Sequence, residues 1–191
     1  MTASTKKTNP ETGTFLRPLF FLRGPVQGGG DWQTAMAKLL FKHEASIDVT
    51  CQHSASTHLV AQFFTSNNQD EPLQVLWEKH YPRVPPSEIF KVGCAIYWLP
   101  LESETKPHPG PEPYAMDTRR ELGKLTAYLE VVKSFPSLYR QFPVRFVIGG
   151  HRGFYGLSTI LDELSSALGK EVPFYEDMET CVQHAFVAAR Q

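Results

Sequence analysis

Two uninterrupted apolar runs, Leu19-Phe20-Phe21-Leu22 and Cys94-Ala95-Ile96-Tyr97-Trp98-Leu99-Pro100-Leu101, constrain the fold more than anything else in the chain. Neither alternates with polar residues as a strand wetted on one face would, so both read as strands buried on both faces of a parallel sheet. The first ends at Gly24-Pro25 and the second runs into a proline-rich loop from Lys106 to Pro113, a candidate lid over the strand end. Val144 to Ile148, followed by Gly149-Gly150, repeats the pattern, and Ile47-Asp48-Val49 and Val172 to Tyr175 add shorter strands.

Between these strands lie segments with helical periodicity. Gly28-Gly29-Gly30 leads to Asp31, a candidate cap for a helix carrying Trp32, Met36, Leu39 and Leu40 on one face. A second helix from about Thr118 to Ser134 carries Leu122, Leu125, Tyr128, Leu129 and Val132. Gly123 inside it costs up to ~1 kcal/mol relative to alanine, which points to close packing against the sheet or a ligand. A third helix, with Ser158 as cap and Gly169 as stop, repeats Ile160, Leu161, Leu164 and Leu168, and a last one spans Asp177 to Ala189. Pro72 to Tyr81 and the piece after Ser87 read as short helices, whereas Cys51 to Asp70 has no clear period. Alternating strands and helices joined by right-handed crossovers define one doubly wound α/β domain of about five parallel strands over residues 15–191. The polar residues 1–14 form an expected mobile tail.

The net charge is −1 and the basic residues do not cluster, which argues against binding a nucleic-acid polymer. The three cysteines, Cys51, Cys94 and Cys181, are odd in number and widely spaced, fitting neither a disulfide scaffold nor a cysteine zinc site. His53 and His58 lack the spacing of a helical zinc pair, so no metal and no cofactor is expected. Without an apolar run near the ~20 residues of a membrane span, a cytoplasmic protein that does not enter membranes is the expectation.

The candidate site follows from the sheet. Ligands of open parallel sheets lie outside the carboxyl ends of the strands, and Glu121 opens the helix after the second apolar run. Asp117 precedes it by one helical turn, on the same face. The plainer alternative is that Asp117 caps the helix and Glu121 is an exposed first-turn acid. The glycine loops 24–30 and 149–156 also follow strands and with the Glu121 helix can surround one crevice, in which free backbone N–H groups suit a phosphate or sugar hydroxyl. Arg23 and Arg152 are candidate phosphate partners, although Arg23, at the end of an apolar strand, equally fits a structural ion pair.

In order along the chain, Phe21-Leu22-Arg23-Gly24-Pro25 with Asp31-Trp32, Trp77-Glu78, Ala95-Ile96-Tyr97-Trp98-Leu99-Pro100, Thr118-Arg119-Arg120-Glu121-Leu122-Gly123 and Val147-Ile148-Gly149 resemble the nucleoside 2-deoxyribosyltransferase-like family. The resemblance implies a flavodoxin-like fold, action on the N-glycosidic bond of a nucleoside or nucleotide, and assembly as a homo-oligomer. It implies Glu121 as the nucleophile at the anomeric carbon, where a carboxylate stabilises or traps the developing positive charge. Substrate-binding positions follow at Gly24, Pro25, Gly28, Gly29, Thr118 and Gly149, with Trp32 or Tyr97 stacking on the base. The better-known transferases carry acidic residues shortly before the threonine, where this chain has Glu112, Pro113 and Tyr114. Asp117, Glu112 or Tyr114 is then left to assist the departing base. A nucleotide-binding module without catalysis and an NAD-type glycohydrolase are the alternatives.

Overall fold

The computed structural model describes residues 18–45, 47–55, 58–64, 93–135 and 144–190. Six strands, β1 (Leu19–Arg23), β2 (Asp48–Ala55), β3 (His58–Phe64), β4 (Gly93–Leu99), β5 (Phe146–Gly150) and β6 (Phe174–Tyr175), form one sheet in the order β3-β2-β1-β4-β5-β6. β1 pairs in parallel with β2 and β4, β4 with β5, and β5 with β6. β3 runs antiparallel to β2 at the sheet edge. Five of the six strands run parallel, and the sheet gains one strand beyond the expected five or so: β3, in the stretch after Cys51 that has no clear period, pairs antiparallel with β2. The α/β architecture with a largely parallel sheet is compatible with a flavodoxin-like fold.

Four helices among the described residues cover the two faces: α1 (Trp32–His43), α2 (Met116–Ser134), α3 (Leu157–Leu168) and α4 (Met178–Ala189). Alternation along each strand builds two cores. Phe20, Leu22, Cys94, Ile96 and Trp98 face Trp32, Met36 and Leu40 of α1 and Cys181, Val182 and Ala185 of α4. Ala95, Tyr97, Leu99 and Ile148 face Leu122, Leu125 and Leu129 of α2 and Leu164 of α3. All of β4 is buried, as expected of a strand with helices on both sides.

Helix boundaries depart from the expected caps. Asp31 occupies the N-cap of α1 without a side-chain cap bond. α2 starts at Met116, entered through Ala115 in the left-handed region (φ 61°), so Asp117 is not its cap. α3 starts at Leu157 behind left-handed Gly156, which leaves Ser158 inside the first turn, while Gly169 ends the helix in the left-handed conformation as expected. Gly123 is exposed, and a Cβ there would meet nothing within 4 Å, so the packing expected of it is absent. The expected tail at residues 1–14 and the short helices at 72–81 and after Ser87 lie outside the described residues.

No helix among the described residues is long and apolar enough to cross a membrane.

Two measurements test these assignments. Gly123→Ala should stabilise the fold by up to ~1 kcal/mol, since it removes backbone entropy from the unfolded chain at a site with open space; a lower urea midpoint would contradict the placement. Asp177, the N-cap of α4, accepts from the Thr180 hydroxyl and backbone N–H, each at 2.7 Å, and these bonds hold its carboxyl below the ordinary value of 3.8. With the folded value below the unfolded one, the cap contributes fully above the unfolded value and is lost as pH falls through the folded one. The stability gap between wild type and Asp177→Ala should therefore be widest at about pH 7 and shrink below about pH 4; a gap independent of pH would rule this out.

Candidate active site

Strand order reverses between β1 and β4: the chain leaves β1 toward β2 on one side and later returns to add β4 on the other. The carboxyl ends of these two strands frame the place where an open α/β sheet leaves a crevice. A cleft of about 130 Å³ lies there, lined by Gly24, Pro25, Val26 and Gln27 after β1, His108 and Glu112 from the loop after β4, and Ala115, Met116, Asp117, Thr118 and Glu121 at the start of α2.

Glu121 reaches the cleft from α2 and meets Arg23 at the end of β1, with Oε1 3.0 Å from Nη1. Both are largely buried, with side chains 17% and 11% exposed respectively. Glu121 is thus not the exposed first-turn acid of the plainer reading. The Arg23 guanidinium lies 4.4 Å from the Phe21 ring centroid and 5.9 Å from that of Tyr97, and its Nε is buried without a hydrogen-bond partner. Packing and stacking on these two rings fix its position, and the ion pair with Glu121 completes the anchor.

Asp117 also lines the cleft, but at the solvent edge: its side chain is 77% exposed and its Oδ1 lies 3.1 Å from Arg120 Nη1. Thr118 lies beside it and is buried. Gly24 and Pro25 form the opposite wall. A Cβ at Gly24 would run into the Trp98 carbonyl and the Trp32 ring, so the chain leaves β1 pressed against its neighbours. Gly28 and Gly29 lie behind this wall. A Cβ at Gly28 (φ 79°) would come 2.9 Å from the His108 backbone nitrogen and 3.1 Å from the Tyr114 ring, and one at Gly29 would come 2.9 Å from the Pro25 carbonyl oxygen.

Other expected site residues are placed elsewhere. Trp32 is buried in the core and donates its Nε1–H to the Pro25 carbonyl at 2.9 Å, so it holds the glycine loop in place rather than offering a ring to the cleft. Tyr97 is 1% exposed, packed edge-on to Phe146, and its hydroxyl is pushed up to about 12 by burial and the Glu121 carboxylate, with Arg23 opposing. Neither aromatic ring lines the cleft. Gly149 is fixed by the close approach of the Tyr175 carbonyl, the Trp98 ring and Cys181. The glycine loop after β5 does not join the Glu121 crevice: Gly153, Phe154 and Tyr155 line a separate depression with Leu101, Glu102, Pro113, Tyr114 and Arg119. Arg152 pairs with Glu176 at 2.6 Å on the surface. The side chains of His53 and His58 lie outside the described set; among the described residues no group of histidine, cysteine and acidic side chains could hold a metal.

The loop after β4 folds down onto the glycine loop. Ser103 N–H donates to the Gly28 carbonyl at 2.6 Å, and His108 N–H to Glu102 Oε1 at 2.8 Å. Tyr114 donates its hydroxyl to the Pro100 carbonyl at 3.0 Å, and burial and Glu102 push its ionisation upward. His108 is the titratable cleft residue that the sequence does not single out. Its signal was a titratable side chain between Pro107 and Pro109 in the loop read as a lid. The sequence matches no family model, and no relative among curated proteins is found.

Removing the cation under Glu121 tests the anchor. Arg23→Met should destabilise the fold by about 1–3 kcal/mol, between an exposed and a fully buried pair, because a mostly buried carboxylate is left without its partner. Pairing it with Glu121→Gln should recover part of the loss in urea unfolding; simple additivity of the two losses would show that the residues do not depend on each other.

Proposed function

We propose that this chain cleaves or exchanges the N-glycosidic bond of a nucleoside or nucleotide, with Glu121 as the nucleophile. The observation that carries the reading is Glu121 itself: a mostly buried carboxylate in a cleft at the reversal point of the sheet, with Oε1 held by Arg23. The ion pair fixes the direction of this carboxylate, whose second oxygen, Oε2, is the atom assigned to the anomeric carbon. The resemblance of the Thr118 to Gly123 segment to the nucleoside 2-deoxyribosyltransferase-like family supports the same role and a flavodoxin-like fold.

The cleft is smaller than the ~300–1,000 Å³ of common ligand pockets. Its walls suit the sugar and the reacting bond, with the base toward the open side. Gly24, Pro25 and Thr118 border the sugar position, and Asp117 stands at the rim for a hydroxyl or the acceptor. Attack gives a glycosyl ester on Glu121 and free base, and water or a second base then resolves the ester. A cytoplasmic homo-oligomer, with a neighbouring subunit closing the open side and supplying the aromatic contact to the base, completes the proposal. A binding module without catalysis is the second reading, favoured by the engagement of Oε1 in the ion pair.

Incubation with nucleosides, deoxynucleosides, their monophosphates and NAD, with and without adenine as acceptor, followed by chromatography, separates these readings. Release of free base is expected, with Glu121→Gln lowering the rate at least ~10³-fold while remaining folded. A rise in melting temperature with one compound and no product from any would favour the binding module.

A further inference from the structure

Breaking a glycosidic bond leaves an electron pair on the base nitrogen, which needs a proton unless the base already carries a positive charge. Four side chains able to carry that proton line the cleft: His108, Glu112, Asp117 and Glu121. Glu121 is bound to Arg23 and is the proposed nucleophile. Asp117 is engaged by Arg120 and faces solvent. Glu112 is exposed. Tyr114, the remaining donor suggested by the sequence, spends its hydroxyl on the Pro100 carbonyl and lines the neighbouring depression instead.

His108 differs in two respects. Its backbone is fixed, through N–H donation to Glu102 and close packing over Gly28, and the loop carrying it is tied to the Gly28 carbonyl by Ser103. Its ring is uncommitted: Nδ1 is buried without a hydrogen-bond partner, and no ion pair engages the imidazole among the described residues. An imidazole on a fixed backbone, with no protein partner at Nδ1, lines the same cleft as the Glu121 carboxylate and is available to exchange a proton with a ligand there. Histidine is also the side chain that ordinarily changes charge near neutral pH.

From this geometry we infer that His108 protonates the departing base, an assignment that rests on the glycosidic reading of the cleft. Glu121 Oε2 forms a bond to the anomeric carbon as the carbon–nitrogen bond breaks; its electron pair goes to the base nitrogen, which takes the proton of the His108 imidazolium. In the second half, the incoming water or acceptor base gives its proton back to neutral His108 as it bonds to the anomeric carbon and releases the Glu121 carboxylate. The charged groups around this exchange are the Glu112, Asp117 and Glu121 carboxylates of the cleft, Arg23 beneath Glu121, and Glu102 behind the histidine backbone.

The test compares purine nucleosides with their N7-methylated counterparts, whose base departs neutral without protonation. His108→Gln should lower the rate on the unmethylated substrates ~10²–10⁴-fold, flatten the limb of the pH–rate profile that falls as pH rises, and leave the methylated substrates within a few-fold of wild type. Glu121→Gln should lose activity on both sets. Equal losses on both sets for His108→Gln, an unchanged pH profile, or no loss would overturn the role of His108 while leaving the glycosidic reading intact. A wild-type protein that releases base from neither set would overturn that reading and this inference with it.

Discussion

The contact between Arg23 and Glu121 joins the end of the central strand to the helix that crosses over the next strand, and the candidate site is arranged around it. Charge burial is costly unless the charges are paired and packed. Here the guanidinium is held by two aromatic rings of the sheet, Phe21 and Tyr97, and the carboxylate by its position in the second turn of α2. The pair thereby couples sheet geometry to the direction of one carboxylate oxygen. The same arrangement explains why Tyr97 is buried so completely: its ring supports the arginine from below instead of serving as an open stacking surface.

Around this anchor the chain is drawn tight. Gly24 allows the exit from β1 to pass the Trp98 carbonyl, Trp32 ties Pro25 down, and Gly28 accepts both the Ser103 hydrogen bond and the approach of His108. Ala115 enters α2 with a positive φ, the single non-glycine residue to do so among the described residues. Left-handed backbone at a residue with a Cβ is disfavoured and persists where the surroundings impose it. It lies on the cleft wall, next to Met116, where the loop from β4 has to turn into the helix that carries Glu121.

Much of the fold was legible because burial on both faces leaves a strong mark. β1, β4 and β5 announce themselves as apolar runs, and the stripes of α2 and α3 as helical repeats. β3 was not legible: its residues, His-Leu-Val-Ala-Gln-Phe-Phe, have no clean alternation, and its pairing partner β2 follows a weak signal at Ile47 to Val49. Caps were less legible still, since Gly156 and Ala115 open helices through backbone conformation where a side-chain cap was expected at Ser158 and Asp117. For the site, the placement of Glu121 near Gly24 and Thr118 could be read from strand order. Gly123, Gly149 and Trp32 could not be sorted between packing and ligand contact, because residue type alone does not say which neighbour a glycine or an indole meets. His108 was hidden for the same reason, since a loop carries no period from which a side chain's direction can be read.

The central claim is that the Glu121 carboxylate forms a covalent bond to the sugar, and trapping that bond tests it most directly. A nucleoside with fluorine at the 2′ position on the arabino face slows the second half-reaction by disfavouring positive charge at the anomeric carbon. After incubation with it, intact-mass spectrometry should show the chain heavier by one fluorinated sugar, and peptide fragmentation should place the addition on Glu121. Base release without an adduct in wild type, or an adduct on another residue that persists in Glu121→Gln, would contradict the account.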